Sequence, residues 1–159
     1  MTATNKQTKP SHELSILRIA VVLAAIASCA AAEPRVTPER LRQLYATPSP
    51  FEAVPRTKWI AESENCFAIR DIKPQAPVHF LVIPKKRVPT LLQAPPELVG
   101  EMFELAKRVA RQEGIADDGF RAIINTHPFG GQSVYHFHVH VLGGRELGWS
   151  PGFHEADKP

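Results

Sequence analysis

Three histidines near the end of the chain alternate with apolar residues, in the order His136-Phe137-His138-Val139-His140-Val141. Alternate side chains of a β-strand point to the same face, about 6.7 Å apart. The pattern therefore predicts a strand with three imidazoles on one face and apolar side chains packed into a core on the other. Three polar rings in a row gain nothing from a core, so the pattern favours chemistry over packing.

Two kinds of chemistry suit three imidazoles. A His-x-His pair on a strand can bind zinc, but one strand seldom directs three ligands to one ion, and the outer two backbones are roughly 13 Å apart. A neutral imidazole, whose ordinary pKa is about 6.5, is also nucleophilic at neutral pH and can attack phosphorus. Neighbouring histidines can then orient it and move protons.

The residues before these histidines favour the phosphate chemistry. Gly130-Gly131-Gln132-Ser133 is small and flexible, so backbone N–H groups can approach an anion closely, and Ser133 adds a hydroxyl. A Gly-Gly pair by itself more often marks a plain turn, and both interpretations stay open on spacing alone.

The segment from His136 to Leu142 resembles the signature of the histidine triad family, His-φ-His-φ-His-φ-φ with φ apolar. The likeness covers about Trp59 to Gly152 and is closest to the nucleotide-binding Hint branch. Further stretches that carry it are Asp71 to Pro77, His79 to Lys85, Gln132 to Tyr135 and Leu142 to Arg145.

The resemblance implies a role for each matching residue. His138 would be the nucleophile that forms a nucleotidyl-histidine, with His136 and His140 as its flanking partners. Asp71 would hold the ribose hydroxyls, although by itself it also fits a turn residue. His79 would be a fourth histidine near the site, although by itself it also fits a core histidine whose hydrogen bonds are satisfied. The residues around the phosphate and leaving group would be Asn125, Gly131, Gln132 and Ser133. Trp149 would lie near the site of a dimer partner.

The resemblance implies a hydrolase that acts at the α-phosphate of a nucleotide, most closely a purine nucleoside phosphoramidase. Related nucleotidyl transferases carry glutamine at the third histidine position, so His140 favours hydrolysis. No metal and no cofactor are expected. A dinucleoside polyphosphate hydrolase, or a nucleotide-binding or scaffold protein with incidental activity, is the alternative.

This chain departs from the family pattern in two places. The family usually opens with a hairpin or helix whose apolar residues clamp the base, whereas here that stretch, Thr47 to Thr57, is rich in proline. The loop Thr126 to Phe129 is also bulkier than the usual glycine-containing one, which would narrow the leaving-group side.

The elements that must position these residues follow from periodicity and from turn residues. A short helix is predicted over Pro38 to Tyr45 and a long one over Pro96 to Glu113, whose apolar residues recur every three or four positions. Thr47 to Thr57 is predicted to be an extended linker. The predicted strands are Lys58 to Glu62, Cys66 to Arg70, Val78 to Ile83, Phe120 to Asn125 and Ser133 to Leu142. This order predicts an α+β domain with an antiparallel sheet, which the resemblance would extend across a homodimer.

Composition and charge exclude some classes of protein. The chain has 159 residues, 43% hydrophobic and 22% charged, which is normal for one globular domain. The formal charge is +3, and the first 29 residues carry part of it. A body close to neutral gives no reason to expect a nucleic-acid surface.

The N-terminal residues are predicted to be an export signal. Ile19 to Ala32 is almost continuously apolar and too short to cross a bilayer comfortably. Ile26-Ala27-Ser28-Cys29 also resembles a lipobox, so the expected outcomes are a lipid anchor at Cys29 or cleavage after Ala32. Retention in the cytoplasm is the alternative. The predicted organisation is a leader over residues 1–32, a short helix and linker over 33–57, and the catalytic domain over 58–159.

Overall fold

The structure, a computed structural model, describes residues 36 to 148. The chain divides into two units, and the elements described here belong to the second, which begins at Pro38. The leader, Cys29 and Trp149 lie outside the described residues. Within residues 36 to 148, no helix is both long and apolar enough to span a membrane.

Two α-helices and five strands make up the regular structure of the described residues. The helices are α1, Pro38–Ala46, and α2, Pro96–Gln112. The strands are β1, Trp59–Glu62; β2, Cys66–Arg70; β3, Val78–Pro84; β4, Phe120–Ile123; and β5, Val139–Gly143. Both helices and all five strands overlap the ranges that the sequence predicted, and every end except the start of β5 lies within two residues of its prediction.

The five strands form one antiparallel sheet in the order β1-β2-β3-β5-β4. The predicted α+β class with an antiparallel sheet is therefore confirmed. In the centre of the sheet, Leu81 of β3 lies opposite His140 of β5, and His79 lies opposite Leu142. Extension of this sheet across a homodimer stays a prediction.

The two faces of the sheet bury different residues. On one face, α2 covers the main core, to which the sheet contributes Cys66, Ala68, Phe80, Val82, Val139 and Val141. On the other face, Phe67, Ile69, Leu81 and Ile83 pack against Phe51 and Val54, from the segment before β1, and against Trp59, the first residue of β1. Because side chains alternate along a strand, His79 and His140 also lie on this second face.

Helix α2 forms for the reason that its sequence indicates. Met102, Leu105 and Val109 recur at three- and four-residue steps and are buried against the sheet. Pro96 occupies the first turn, where its missing N–H costs no hydrogen bond. Gly114, with φ of +71°, follows the C-terminal end, where a left-handed residue commonly stops a helix.

The last strand is shorter than the sequence predicted. The expected strand began at Ser133, but β5 begins at Val139, where its pairing with Val82 of β3 starts. Before that point the backbone leaves the ladder, and the N–H of Phe137 bonds the carbonyl of Val88 instead, at 2.6 Å. His136 and His138 therefore precede the strand, although the alternation of buried apolar residues continues through Phe137.

The prediction of an extended linker over Thr47 to Thr57 is wrong. Two short 3-10 helices, Pro50–Ala53 and Arg56–Lys58, occupy most of this stretch. Ser49 caps the first helix by accepting the N–H of Phe51, and Glu52 completes a capping box. The prolines set backbone angles that suit the first helical turn, so in this stretch they start local structure.

Alanine substitutions at two glycines test how tightly the sheet packs against Ile115. A Cβ on Gly143 would lie 2.9 Å from Cδ1 of Ile115, whereas a Cβ on Gly100, in α2, would meet nothing within 4 Å. We expect Gly143→Ala to lower the free energy of unfolding by about 1–3 kcal/mol through overpacking. Gly100→Ala, the control, should raise it by about 0.5–1 kcal/mol because alanine favours a helix. Urea unfolding measures both, and equal effects would contradict this account.

Candidate active site

A cleft of about 510 Å³ lies on the sheet face opposite α2. Its lining includes the polar residues His138, His140, Ser133 and Asp71. Its apolar lining residues include Pro50, Phe51, Val54, Ile69, Ile72 and Leu81. Four residues that the sequence predicted for the site thus line one cleft.

His138 is buried and has one nitrogen fixed by the backbone. Its Nδ1 lies 2.7 Å from the carbonyl oxygen of His136, so Nδ1 carries the proton and donates it. Nε2 of the neutral ring then keeps its lone pair. Burial is the largest cause that lowers the pKa of His138, so the ring is neutral at pH 7. The ring of Phe51 packs edge-on against it, with centroids 5.1 Å apart.

His136 is placed differently from what the sequence predicted. It does not line the cleft, and only 1% of it is exposed. Its Nε2 donates to the carbonyl of Pro84 at 2.8 Å, and its Nδ1 accepts from the hydroxyl of Ser49 at 2.9 Å. Both ring nitrogens are therefore satisfied, which removes the cost of burying a polar ring. His136 orients His138 through its carbonyl.

His140 and His79 form a hydrogen-bonded pair beside Asp71. Nδ1 of His79 lies 3.1 Å from the backbone N–H of Gln75, which it must accept. Its Nε2 then carries the proton and donates to Nδ1 of His140 at 3.0 Å. By the same logic, neutral His140 holds its own proton on Nε2. Burial is the largest cause that lowers the pKa of His79, and it lowers the pKa of His140 to about 4.

Asp71 occupies both the turn that one interpretation predicted and the cleft that the other predicted. Its Oδ1 accepts the backbone N–H of Lys73 at 2.7 Å, which closes the turn after β2. Its Oδ2 lies 3.4 Å from Nε2 of His79 and 3.6 Å from Nδ1 of His140. The carboxylate therefore places a negative charge beside both imidazoles while it lines the cleft.

In the loop before the histidines, Ser133 and Gln132 have different surroundings. Ser133 is exposed and lines the same cleft as His138. The side chain of Gln132 is buried instead: its amide donates to the carbonyls of Pro89 and Val134, and its oxygen accepts the N–H of His127. Gly131 takes the left-handed conformation, with φ of +75°. Neither Gly131 nor Asn125 is among the residues that line this cleft.

Sequence reasoning missed Ser49 and Phe51, which belong to the segment it treated as a linker. Ser49 donates to His136, and Phe51 contacts the rings of both His136 and His138. A signal for Ser49 was present, because Ser49 and Glu52 have the spacing of a capping box. Nothing in the local sequence indicates which histidine Ser49 would meet, 87 positions away.

The comparisons with known proteins agree with this fold. The family model for the HIT domain matches residues 52–147, and the chain belongs to that family, the histidine triad proteins. A purine nucleoside phosphoramidase of Escherichia coli is 52% identical over 84 residues, which are 51% of this chain and 71% of that protein. A 14 kDa zinc-binding protein of Zea mays is 45% identical over 122 residues, 70% of this chain and 94% of that protein. The crystal structure of a HIT family hydrolase from Legionella pneumophila matches with a TM-score of 0.57 and 39% identity, over 67% of this chain and 90% of that one.

The name of the Zea mays relative raises the question of a metal at the one cluster of ligand types found among the described residues, Asp71, His79 and His140. Their ligand atoms lie within 4.8 Å of one another. However, Nδ1 of His79 accepts the Gln75 N–H, so the proton sits on Nε2, the nitrogen that faces the cluster. A protonated ring nitrogen has no lone pair for a metal. The cluster as arranged fits a hydrogen-bonded relay and does not fit a metal.

Burial of these histidines predicts how stability depends on pH. The unfolded imidazole has a pKa of about 6.5, whereas that of folded His140 is about 4. Between these two pKa values the unfolded chain binds more protons than the folded chain does. The free energy of unfolding is therefore highest above pH 6.5 and falls as the pH drops towards 4. Urea unfolding at pH 7.5, 6 and 5 measures the slope. His140→Gln should flatten it, and a wild-type stability independent of pH in this window would contradict the burial argument.

Proposed function

We propose that this protein hydrolyses nucleotide substrates at the α-phosphate, with Nε2 of His138 as the nucleophile. The observation that carries the proposal is the 2.7 Å hydrogen bond from Nδ1 of His138 to the carbonyl of His136. It keeps the lone pair on Nε2, in a ring that burial holds neutral. A nucleophile needs an available lone pair at working pH, and this arrangement supplies one.

The cleft suits a nucleoside monophosphate unit. Its apolar lining residues, among them Phe51, Ile69 and Ile72, offer surfaces for a flat base. Asp71 lines the same cleft beside His140, and its carboxylate can accept hydrogen bonds from ribose hydroxyls. The phosphate would then lie beside Ser133 and His138. The identity to a purine nucleoside phosphoramidase supports a purine base and a phosphoramidate bond as the substrate class.

The first chemical step forms one bond and breaks one. Nε2 of His138 attacks the α-phosphorus, and the bond from phosphorus to the leaving group breaks on the opposite side. The hydroxyl of Ser133 and the backbone N–H groups next to it stabilise the charge on the phosphoryl oxygens. Water then attacks the phosphorus of the nucleotidyl-histidine and returns a proton to the group that protonated the leaving amine. The phosphorus–nitrogen bond breaks, which releases the nucleoside monophosphate and regenerates neutral His138.

The leaving amine needs a proton, and His140 is the better donor of the two candidates. Its Nδ1 accepts from His79, so its Nε2 keeps a proton on the opposite side of the ring. His140 lines the cleft, with its ring centroid 4.9 Å from that of His138. The negative charge of Asp71 favours the approach of a proton to this pair. Ser133 is the second candidate, because it carries a hydroxyl and lines the same cleft.

Replacement of the nucleophile tests the mechanism. We expect His138→Ala to lower kcat by at least about a thousandfold, because the covalent route is lost. A reaction of the unsubstituted chain with an adenosine phosphoramidate, quenched early, should show a nucleotidyl adduct on the peptide that contains His138. The adduct should be missing in the variant. Dinucleoside polyphosphates and acyl-adenylates, assayed in parallel, rank the substrate classes.

Three results would count against this proposal. Unchanged turnover in His138→Ala would remove the nucleophile, and activity lost to a chelator but restored by zinc would favour metal chemistry. Tight nucleotide binding with no turnover of any of these substrates would favour the binding or scaffold alternative.

A second test concerns Asp71. We expect Asp71→Ala to weaken binding of adenosine monophosphate by about tenfold, the effect of losing hydrogen bonds to a charged group. For the 2′,3′-dideoxy analogue, the variant and the unsubstituted chain should have equal affinities, since that analogue lacks the ribose hydroxyls. Calorimetric titration measures both affinities. Equal losses for the two ligands would show that Asp71 supports the loop after β2 rather than the ribose.

A further inference from the structure

His127 has a backbone conformation that is costly for a residue with a side chain. Its φ is +63° and its ψ is 173°, and it is the one non-glycine residue with positive φ in residues 36 to 148. Glycine adopts positive φ without this cost. Pro128 follows and restricts His127 to an extended ψ. Strain of this kind persists where surrounding contacts fix the residue, and it points to a function for the side chain.

The backbone of His127 closes the loop that leads to the cleft. Its carbonyl accepts the N–H groups of Gly130 and Gln132, each at 3.1 Å. Its own N–H donates to the side chain of Gln132 at 3.0 Å, and the amide of Gln132 holds the carbonyl of Pro89 at 2.8 Å. The next residue, Ser133, lines the same cleft as His138. The conformation of His127 therefore fixes the position of the backbone that leads into Ser133.

The ring of His127 is held by Tyr45, in the last turn of α1. The hydroxyl of Tyr45 lies 3.0 Å from Nε2 of His127 and accepts the side-chain amide of Gln93 at 3.4 Å. The hydroxyl therefore joins the ring of His127 to Gln93 through two hydrogen bonds. The ring of Tyr45 also packs against that of Tyr135, with centroids 5.7 Å apart.

Arg87 fixes the end of α1 that carries Tyr45. Its guanidinium donates to the carbonyls of Tyr45 at 2.8 Å and Thr47 at 2.6 Å, and its Nε donates to the carbonyl of Tyr135 at 3.0 Å. Tyr135 directly precedes His136. One side chain thus joins the helix to the segment that carries the histidines, so Tyr45 has a fixed position from which to hold His127.

We propose that Tyr45 and His127 form a positioning pair, in which α1 holds the loop 127–133 so that Ser133 meets the phosphate of the substrate. The proposal rests on the proposed function, because the phosphate is the group that the loop would contact. Neither residue is among those that line the cleft, so both act through the loop. Helix α1 is then part of the machinery of the site, although it lies before the region matched by the family model.

A matched pair of Tyr→Phe variants tests the pair. Tyr45→Phe keeps the ring and removes the hydroxyl that meets His127. Tyr135→Phe, the control, removes a buried hydroxyl that has no hydrogen-bond partner among the described residues. Titrations of the full chain with adenosine and with adenosine monophosphate isolate the contribution of the phosphate. Tyr45→Phe should weaken monophosphate binding by about three- to tenfold, the effect of one neutral hydrogen bond, and leave adenosine binding unchanged. Tyr135→Phe should change neither.

Hydrogen exchange separates this role from a general loss of stability. Backbone amides of Gly130 and Gln132 should exchange faster in Tyr45→Phe than in Tyr135→Phe, while those of α2 exchange at the wild-type rate. His127→Gly, which removes the ring and the strain together, should show the same faster exchange and the same loss of monophosphate affinity in a folded protein.

The outcomes distinguish the pair from the proposed function. An unchanged monophosphate affinity in Tyr45→Phe, or equal losses for adenosine and its monophosphate, would overturn the positioning pair alone. Equal binding of adenosine and its monophosphate by the unsubstituted chain would overturn the proposed function, and with it the purpose of the pair.

Discussion

Side chains alternate between the two faces of a β-sheet, and the rest of this structure depends on that constraint. In β5, Val139 and Val141 point to the face that α2 covers, so His140 must point to the other. In β3, Phe80 and Val82 join the same core, so His79 lies on the face of His140. The hydrophobic free energy of the core therefore holds the imidazoles in place. A shift of one residue in either strand would bury a histidine under α2.

The imidazoles of this site are neutral, so each hydrogen bond to one ring nitrogen determines whether the other nitrogen donates or accepts. Each ring has one donor and one acceptor nitrogen, and fixing one of them fixes the other. The carbonyl of His136 accepts a hydrogen bond from Nδ1 of His138, and the N–H of Gln75 donates one to Nδ1 of His79. Burial favours the neutral state of all four rings by lowering their pKa values. Burial and backbone hydrogen bonds thus act together: one removes the charge, and the other decides which nitrogen is left to react.

The segments before β1 contribute to the site at three levels. Phe51 covers the face on which the histidines lie, and Ser49 satisfies the buried ring of His136. Tyr45 reaches the loop before the histidines through His127. All three residues precede the residues matched by the family model, which begin at 52. An open sheet face with polar rings would be hydrated. Here an apolar wall borders it, which strengthens the electrostatic interactions within the cleft.

The sequence by itself determined most of the regular structure and four of the residues that line the cleft. Alternation identified the histidine face, and runs of apolar, β-branched and aromatic residues identified β2 and β3. The spacing of Met102, Leu105 and Val109 identified α2. These signals are local, so the sequence alone carries them. The late start of β5, the burial of His136 and the side-chain position of Gln132 were decided by tertiary structure. Each of these depends on partners far away in sequence, the carbonyls of Val88, Pro84 and Pro89. Propensity and periodicity describe neighbours along the chain, whereas a hydrogen bond across 52 residues exists only once the sheet has brought its two ends together.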